Sequence, residues 1–437
     1  MEIISNEIIK PSSPTPDHLK TFKLSLLDQL TLHSYTPILL LYESEASINA
    51  NVLKKSLSET LNLYYPFAGR LCEDGVTVDC GDQGVVFVEA RISGCKLSDF
   101  LLYPKFETQR LLFPQGFLWK GSCVGESFLA AQVTSFKGGG VAVTVSMSHK
   151  VADGSTIAAF LNDWATTARG EPRPNPTILA TSIVPSFNLS ITVPEIVMDK
   201  TTTCVTRRYL FDAEKIVGLR NSTVGLPEKP TRVELVTAHL YRCAIAALAT
   251  KTGHVRGSTW IQLVNMRPRM TKPLPENSAG NFSWYFTASN DGSGGTSVSD
   301  LVVELKKGMK EVCKGGENVD LGKWLMDVKE FASSVKELFD DLDVYRCSSL
   351  CKKPFYETDF GFGCPKWVTM ADVFVRNTFI LMDTADGCGI EAMINHKGRG
   401  ILVEVSGCDE ISHLLRVRIQ AYATIVATKL SEADVKD

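Results

Sequence analysis

The chain has 437 residues, enough for two sizeable cores, and Lys+Arg 46 against Asp+Glu 49 leaves a net charge of −3. That near-balance excludes an overall electrostatic pull towards nucleic acid or an acidic membrane surface. Twelve cysteines lie without CxxC pairs or a nearby histidine cluster, which argues against a zinc site or disulfide frame and for reduced thiols in a cytoplasmic protein. Cys347 and Cys351, the closest pair, read as ordinary small hydrophobes. No apolar run reaches the length of a membrane span, and the Met1-Glu2 start lacks a basic region followed by an apolar one.

Residues 10–18 (KPSSPTPDH) are a proline-rich lead-in that does not support a helix. Val52, Leu53, Leu57 and Leu61 mark an amphipathic helix, and YPFAGRL (65–71) follows as a turn into a strand. Residues 141–148 (VAVTVSMS) alternate apolar and small polar side chains, the period of a half-buried strand. Ile157, Phe160, Leu161, Trp164, Ala165 and Ala168 recur on one face of a helix, with Ser155 and Thr156 placed to cap it. His149 therefore stands at a strand end and Asp153 in the turn before a helix, with Gly154 allowing a sharp turn. A neutral imidazole held at a strand end suits a general base. A structural histidine in a strand-to-helix turn is the competing reading of that spacing.

Residues 170–190, with Pro172, Pro174, Pro176 and Pro185, have the composition of a linker. A strand at Thr203–Phe211 and a helix capped by Asp212 follow. Glu234 to Leu248 reads as a buried helix carrying Thr237, His239 and Arg242, with His239 as a satisfied core residue. Residues 287–298 (TASNDGSGGTSV) read as a flexible loop, and Leu301 to Cys313 as an amphipathic helix with a lysine-rich face. Strand patterns cover Phe374–Met382, Gly389–Asn395 and Ile401–Val405, and Ser412 to Thr428 reads as a closing helix. No internal repeat, Walker A or GxGxxG loop is present. Asp359-Phe360-Gly361-Phe362-Gly363 sets two glycines around an aromatic, with no evident acid, base or nucleophile for chemistry, and reads as structural.

HxxxDG over 149–154 followed by DFGxG over 359–363 resembles the BAHD family of plant acyl-CoA-dependent acyltransferases. Four further ordered segments carry the resemblance: Leu24-Ser25-Leu26-Leu27-Asp28-Gln29, Tyr65 to Leu71, Asn265-Met266-Arg267-Pro268-Arg269, and Leu274-Pro275 through Gly280-Asn281. The resemblance implies an α/β fold of two similarly built chloramphenicol-acetyltransferase-like domains, each a mixed β-sheet with flanking helices, with an active-site channel between them. The expected division is an N-terminal domain over 1–185 carrying HxxxD, a crossover over 186–210 and a C-terminal domain over 211–437 carrying DFGFG.

The same resemblance implies a monomeric acyltransferase that moves an acyl group, acetyl or short and branched, from CoA to the hydroxyl of a plant specialised metabolite. His149 would act as general base with no acyl-enzyme, so none of the cysteines need act. It gives His149 and Asp153 as the catalytic motif, with Asp153 paired to Arg267 rather than to the ring. Tyr35, His33, Ser348, Ser349, Leu350 and Asn281 would face the acceptor, with Ser348, Ser349 and Asn281 also candidate oxyanion donors. Arg269, Lys306, Lys307 and Thr237 would meet CoA, and Asp359, Gly361, Phe362, Gly363 and Arg267 would be structural. The partners are acyl-CoA, as co-substrate, and a small alcohol; no cofactor, metal or nucleic acid is implied. Two departures stand out: Phe362 replaces the tryptophan of the usual DFGWG, and Ser349-Leu350-Cys351-Lys352 replaces SSWCR. Alternatives are an N-acyltransferase acting on an amine, a non-catalytic partner protein of the same fold, and a carrier-protein-dependent condensation enzyme. The last usually carries HHxxxDG, whereas Ser148 precedes His149 here.

Overall fold

The computed structural model describes residues 1–44, 49–102, 104–118, 124–172, 178–179, 184, 186, 204–270, 272–292, 296–313, 344–372 and 375–397. Most of the proposed crossover, the Ile401–Val405 strand and the Ser412–Thr428 helix lie outside the described residues.

The N-terminal half runs β1 (Glu2–Ile9), β2 (Thr21–Lys23), α1 (Leu26–Leu30), β3 (Tyr35–Tyr42), α2 (Ala50–Thr60), β4 (Arg70–Leu71), β5 (Thr77–Asp79) and β6 (Val85–Ile92). It continues through α3 (Leu97–Leu102), α4 (Phe106–Arg110), β7 (Leu129–Phe136), β8 (Val141–Ser148), α5 (Gly154–Ala168) and the short β9 (Ile178–Leu179). The C-terminal half runs β10 (Cys204–Phe211), α6 (Ala213–Asn221), α7 (Arg232–Thr252), β11 (Ser258–Asn265), β12 (Ser278–Ala279), β13 (Ser283–Asn290) and α8 (Val298–Val312). Then come β14 (Val344–Ser349), β15 (Trp367–Met370), β16 (Thr378–Asp383) and β17 (Ile390–Lys397). Two six-stranded mixed sheets result, ordered β1-β6-β7-β8-β3-β15 and β10-β17-β16-β14-β11-β13.

Strand β3 is buried along its whole length because both of its faces are covered. Ile38, Leu40 and Tyr42 enter the core shared with α2 and α5, while Leu39 and Leu41 enter a smaller cluster with Leu101, Phe113 and Trp367. In the second sheet, Ile380, Met382 and Met393 face the N-terminal core, and Phe379, Leu381, Ala392 and Ile394 face α7 and α8.

The two halves exchange segments, which the expected division at 185 and 211 does not anticipate. Leu26 and Leu27 of α1 pack in the C-terminal core. In return β15 hydrogen-bonds to β3, with Trp367 opposite Leu41 and Met370 opposite Ile38, and Phe360 joins the N-terminal core. Each half is thus completed by apolar side chains from the other.

Other expectations need local correction. Asp153, not Ser155 or Thr156, is the N-cap of α5. A single 3₁₀ turn, Asp17–Leu19, reaches into the proline-rich lead-in. Residues 287–290 are strand rather than loop, because β13 pairs with β11 from Ser283 to Asn290 with Phe286, Ala288 and Asn290 turned inwards. Pairing and alternate burial override the turn-like composition there. Helix α7 has the length and apolarity of a membrane span, yet Leu235, Leu240, Tyr241 and Ala244 on it are buried in the C-terminal core. His239, half-buried, packs edge-on against Phe211, but it is not the fully satisfied core residue expected: Nε2 meets Cys243 Sγ at 3.6 Å, while the buried Nδ1 has no hydrogen-bond partner among the described residues. Nine cysteines among the described residues, Cys347 and Cys351 included, are free, and the described residues hold no metal-ligand cluster.

Candidate active site

Antiparallel pairing of β8 with β3 places Ser148 opposite Tyr35, and the His149 N–H donates to the Ser34 carbonyl at 2.8 Å. The ring is thereby fixed at the end of the sheet. Its Nδ1 lies 3.0 Å from Asn281 Oδ1. The Asn281 amide is pinned from behind: Nδ2 donates to Asp28 Oδ1 and to the His149 carbonyl, each at 2.8 Å. Because both of its amide hydrogens go to oxygens that only accept, Oδ1 must face the ring, and Nδ1 must carry the proton. The lone pair of Nε2 is then the free base.

Asp28 holds this arrangement. It accepts from the Asn281 backbone N–H at 2.8 Å, and its other oxygen takes the Ser25 N–H at 3.0 Å and hydroxyl at 2.6 Å. The Ser25 contacts form the capping box that starts α1, which explains why the LSLLDQ stretch sits here. Burial raises the Asp28 carboxyl above its usual pKa, against the opposing pull of Ser25 and Asn281. Burial likewise lowers the His149 pKa; hydrogen bonding and the Asp153 charge oppose the shift, and the Lys150 charge adds to it. The imidazole is therefore neutral at physiological pH.

Asp153 makes no bond to the ring. It caps α5 through the Thr156 N–H at 3.0 Å and accepts from the Phe282 N–H at 3.0 Å. Arg267, fully buried, grips both of its oxygens, at 2.7 and 3.0 Å. The same guanidinium donates to the carbonyls of Ser278 and Gly280, on the segment that leads to Asn281. Burial alone would raise the Asp153 carboxyl, but the Arg267 charge and hydrogen bonds outweigh it and hold it at about 2. Asp153 is therefore a buried, permanently ionised clamp tying the 149–154 turn to the 267–282 segment. The pairing with Arg267 is as expected; a direct catalytic role beside His149 is not.

The other candidate residues divide. His33, half-buried, adjoins the Ser34 that anchors His149. Tyr35 does not line a pocket: it is fully buried, donates its hydroxyl to the Ser127 carbonyl at 2.6 Å and packs edge-on against Phe117. Asn281 cannot be an oxyanion donor, because both of its amide hydrogens are already used. Ser348 and Ser349 are half-buried at the end of β14, where Leu350 follows and packs against the Gly154 Cα, leaving no room there for a Cβ. Leu350 belongs to the N-terminal core rather than to an acceptor surface.

The residues proposed for CoA do not gather at the site. Thr237 is buried on α7. Lys306 bridges Glu228 and Glu234, and Lys307 pairs with Glu304. Both line a groove of about 560 Å³ whose walls include no residue of the His149 turn. Arg269 donates to the Asn265 carbonyl at 2.6 Å.

The DFGFG loop is a packing element, as expected. Asp359 Oδ1 accepts from the N–H groups of Gly361 and Gly363, which adopt φ +98 and +91, values that favour glycine. Phe362 meets Tyr42 edge-on at 4.8 Å between ring centres, and Phe360 meets Trp164 at 4.9 Å.

Sequence reasoning gave no role to Asp28, Lys150 or Arg208. The signal that could have found Asp28 is a serine followed three residues later by an acid, the pattern of a helix start, but no local pattern shows its second bond to Asn281 across 253 positions. Arg208, buried on β10, lies 3.9 Å from the Phe106 ring centre and donates to Gln109 and the Met370 carbonyl, joining the sheets where the halves meet.

The sequence matches the model of the Transferase family over residues 1–397. It is 41% identical over 395 residues to akuammiline synthase 1 of Alstonia scholaris, covering 88% of this chain and 91% of that protein. It is 37% identical over 407 residues to the 17,18-epoxy-17-hydroxycur-19-ene N-malonyltransferase of Strychnos nux-vomica, covering 90% and 86%. The crystal structure of vinorine synthase is similar in fold, with a TM-score of 0.81 and 32% identity, over 94% of this chain and 99% of that one.

Proposed function

The chain belongs to the BAHD family of plant acyltransferases, which use acyl-CoA and an acceptor from specialised metabolism, and on that premise we propose that it moves an acetyl or other short acyl group onto a hydroxyl, with His149 as general base. The acceptor oxygen attacks the thioester carbonyl while His149 Nε2 takes its proton. The tetrahedral intermediate collapses with cleavage of the C–S bond, and the imidazolium returns the proton to the departing thiolate, giving ester and CoA. Such base assistance is typically worth about 10²–10⁴-fold. Asn281 and Asp28 keep the ring in the tautomer that frees Nε2, and Asp153 with Arg267 hold the turn that carries it. The step needs no cofactor and no enzyme thiol.

The observation that carries this reading is the Asn281 amide, whose oxygen alone is left for Nδ1. An alcohol gains most from the arrangement, because its oxygen must lose a proton as it attacks, whereas a neutral amine is nucleophilic unaided. The similarity to an N-malonyltransferase supports amide formation as the second reading. Incubation with a panel of acyl-CoAs and of alkaloid and terpenoid alcohols and amines, read by free-thiol release and mass spectrometry, tests both. Ester products are cleaved by hydroxylamine and amides are not. Turnover that survives in folded His149→Ala would overturn the base assignment.

A further inference from the structure

Next to the proposed catalytic ring stands a second ionisable group with no role in the proton transfer. Lys150 follows His149 directly, yet its side chain turns into the protein and is 1% exposed. Its ammonium donates to the Gln29 carbonyl at 2.8 Å, the one acceptor it finds among the described residues. A carbonyl dipole does not balance a full buried charge. The carboxylate whose charge acts on it belongs to Asp28, one residue before Gln29 on α1. Asp28 in turn is bonded by neutral donors only, from Ser25 and Asn281. Each ion thus lacks a balancing charge in direct contact, and the ammonium is anchored on the residue that directly follows Asp28 in α1.

We propose that Lys150 is the buried counter-charge of Asp28, and that it is a positioning residue keeping the Asp28–Asn281–His149 chain in its base-ready form. The ionised Asp28 must accept from Asn281 for the amide oxygen to face Nδ1, and the ammonium keeps that carboxylate ionised. The same positive charge opposes protonation of His149. Among the described residues, the other charged groups facing this cluster are Asp153 from the turn and Arg267 from the 3₁₀ turn after β11, which neutralise each other, with Lys353, paired to Glu276, acting on that pair. Burial lowers the Lys150 pKa to about 8, with Asp28 opposing, so the ammonium prevails at neutral pH.

The inference rests on His149 acting as base, but its test does not require turnover. Lys150→Gln keeps a donor for the Gln29 carbonyl and removes the charge. NMR titration of the histidine rings, with the His149 signals identified by their loss in His149→Gln, should show the His149 midpoint rise by about one pH unit in Lys150→Gln. Lys150→Arg should leave it near the wild-type value. Where a substrate pair turns over, the acidic limb of kcat/KM should move up with that midpoint; a purely structural lysine would lower the rate equally at every pH. If Lys150→Gln does not fold, the charge-balanced pair Asp28→Asn with Lys150→Gln decides the question: it should be soluble and more stable than Lys150→Gln alone. An unmoved His149 midpoint, or a pair no more stable than the single variant, overturns the proposal. Absence of turnover on the substrate panel would count against the function proposed above and leave the titration result standing.

Discussion

Asp28 and Asp153 begin as the same kind of residue in the same kind of place. Each lies in the first turn of a helix or caps it, each is about 1–2% exposed, and each accepts several hydrogen bonds beside His149. Their electrostatics are opposite. Asp153 is gripped by the Arg267 fork and stays ionised down to about 2, whereas Asp28 meets neutral donors and is pushed upwards by burial. A carboxylate under a bidentate guanidinium fixes geometry, because moving it would strand two buried charges. A carboxylate reached through an amide instead sets which nitrogen of a histidine carries the proton. The fold places the clamp where the backbone must not move and the Asp28–Asn281 chain where a tautomer is held.

The most severe way to break the comparison is to remove the ring that both carboxylates serve. His149→Ala should lower kcat by about 10²–10⁴-fold with an unchanged circular dichroism spectrum and intact CoA binding. Next comes the Asp28–Asn281 chain. Asn281→Leu should free the imidazole tautomer and cost about 10²-fold or more in kcat. Nitrogen chemical shifts of His149 should then report a mixture of tautomers, and a single retained Nδ1–H form would refute that chain's role.

The clamp should respond in stability rather than in the chemical step. Asp153→Asn and Arg267→Gln should each cost about 3–5 kcal/mol in denaturant unfolding, since each strands a buried charge. The double variant should lose markedly less than the sum of the two, and full additivity would show that the pair is not coupled.

Acid titration separates the two carboxylates directly. The Asp153 pKa is lowered on folding, so its stabilisation is present above its ordinary value of 3.8 and is lost as pH falls towards about 2. Asp153→Asn should flatten the acid limb of the stability profile in that window. The raised Asp28 carboxyl works the other way, weakening the fold as pH rises through its titration, so Asp28→Asn should remove that pH dependence while the Lys150 charge it strands lowers stability at every pH where the ammonium persists.

The smallest effect is expected outside both networks. Phe362→Trp should change thermal stability by about 1–3 kcal/mol at most, because an added indole either fills space beside Tyr42 or overpacks it. KM for either substrate should stay near the wild-type value, and a selective change in donor preference would contradict the packing role of DFGFG.

Much of this arrangement was legible from spacing. The alternation of VAVTVSMS and the periodicity after Asp153 located a strand end and a helix start, so His149 and the turn behind it could be placed before any tertiary contact was known. Glycines around an aromatic likewise announced a tight loop at 359–363. Those features are local: a strand's period of two, a helix's face and a positive φ are written in neighbouring residues.

What the sequence by itself determined is therefore the strand, turn and helix around His149, several further elements and, through family resemblance, the pairing of Asp153 with Arg267. Only the tertiary structure decided what acts on that imidazole. Asp28 meets Asn281 across 253 positions, Lys150 turns inwards beside His149, and Tyr35 and Thr237 are buried in the core instead of facing a ligand. The segment exchange, with α1 in one core and β15 in the opposite sheet, was equally invisible. The physical reason is that burial and hydrogen-bond partners set the protonation and orientation of a side chain, and both are fixed by packing between segments that no local pattern connects.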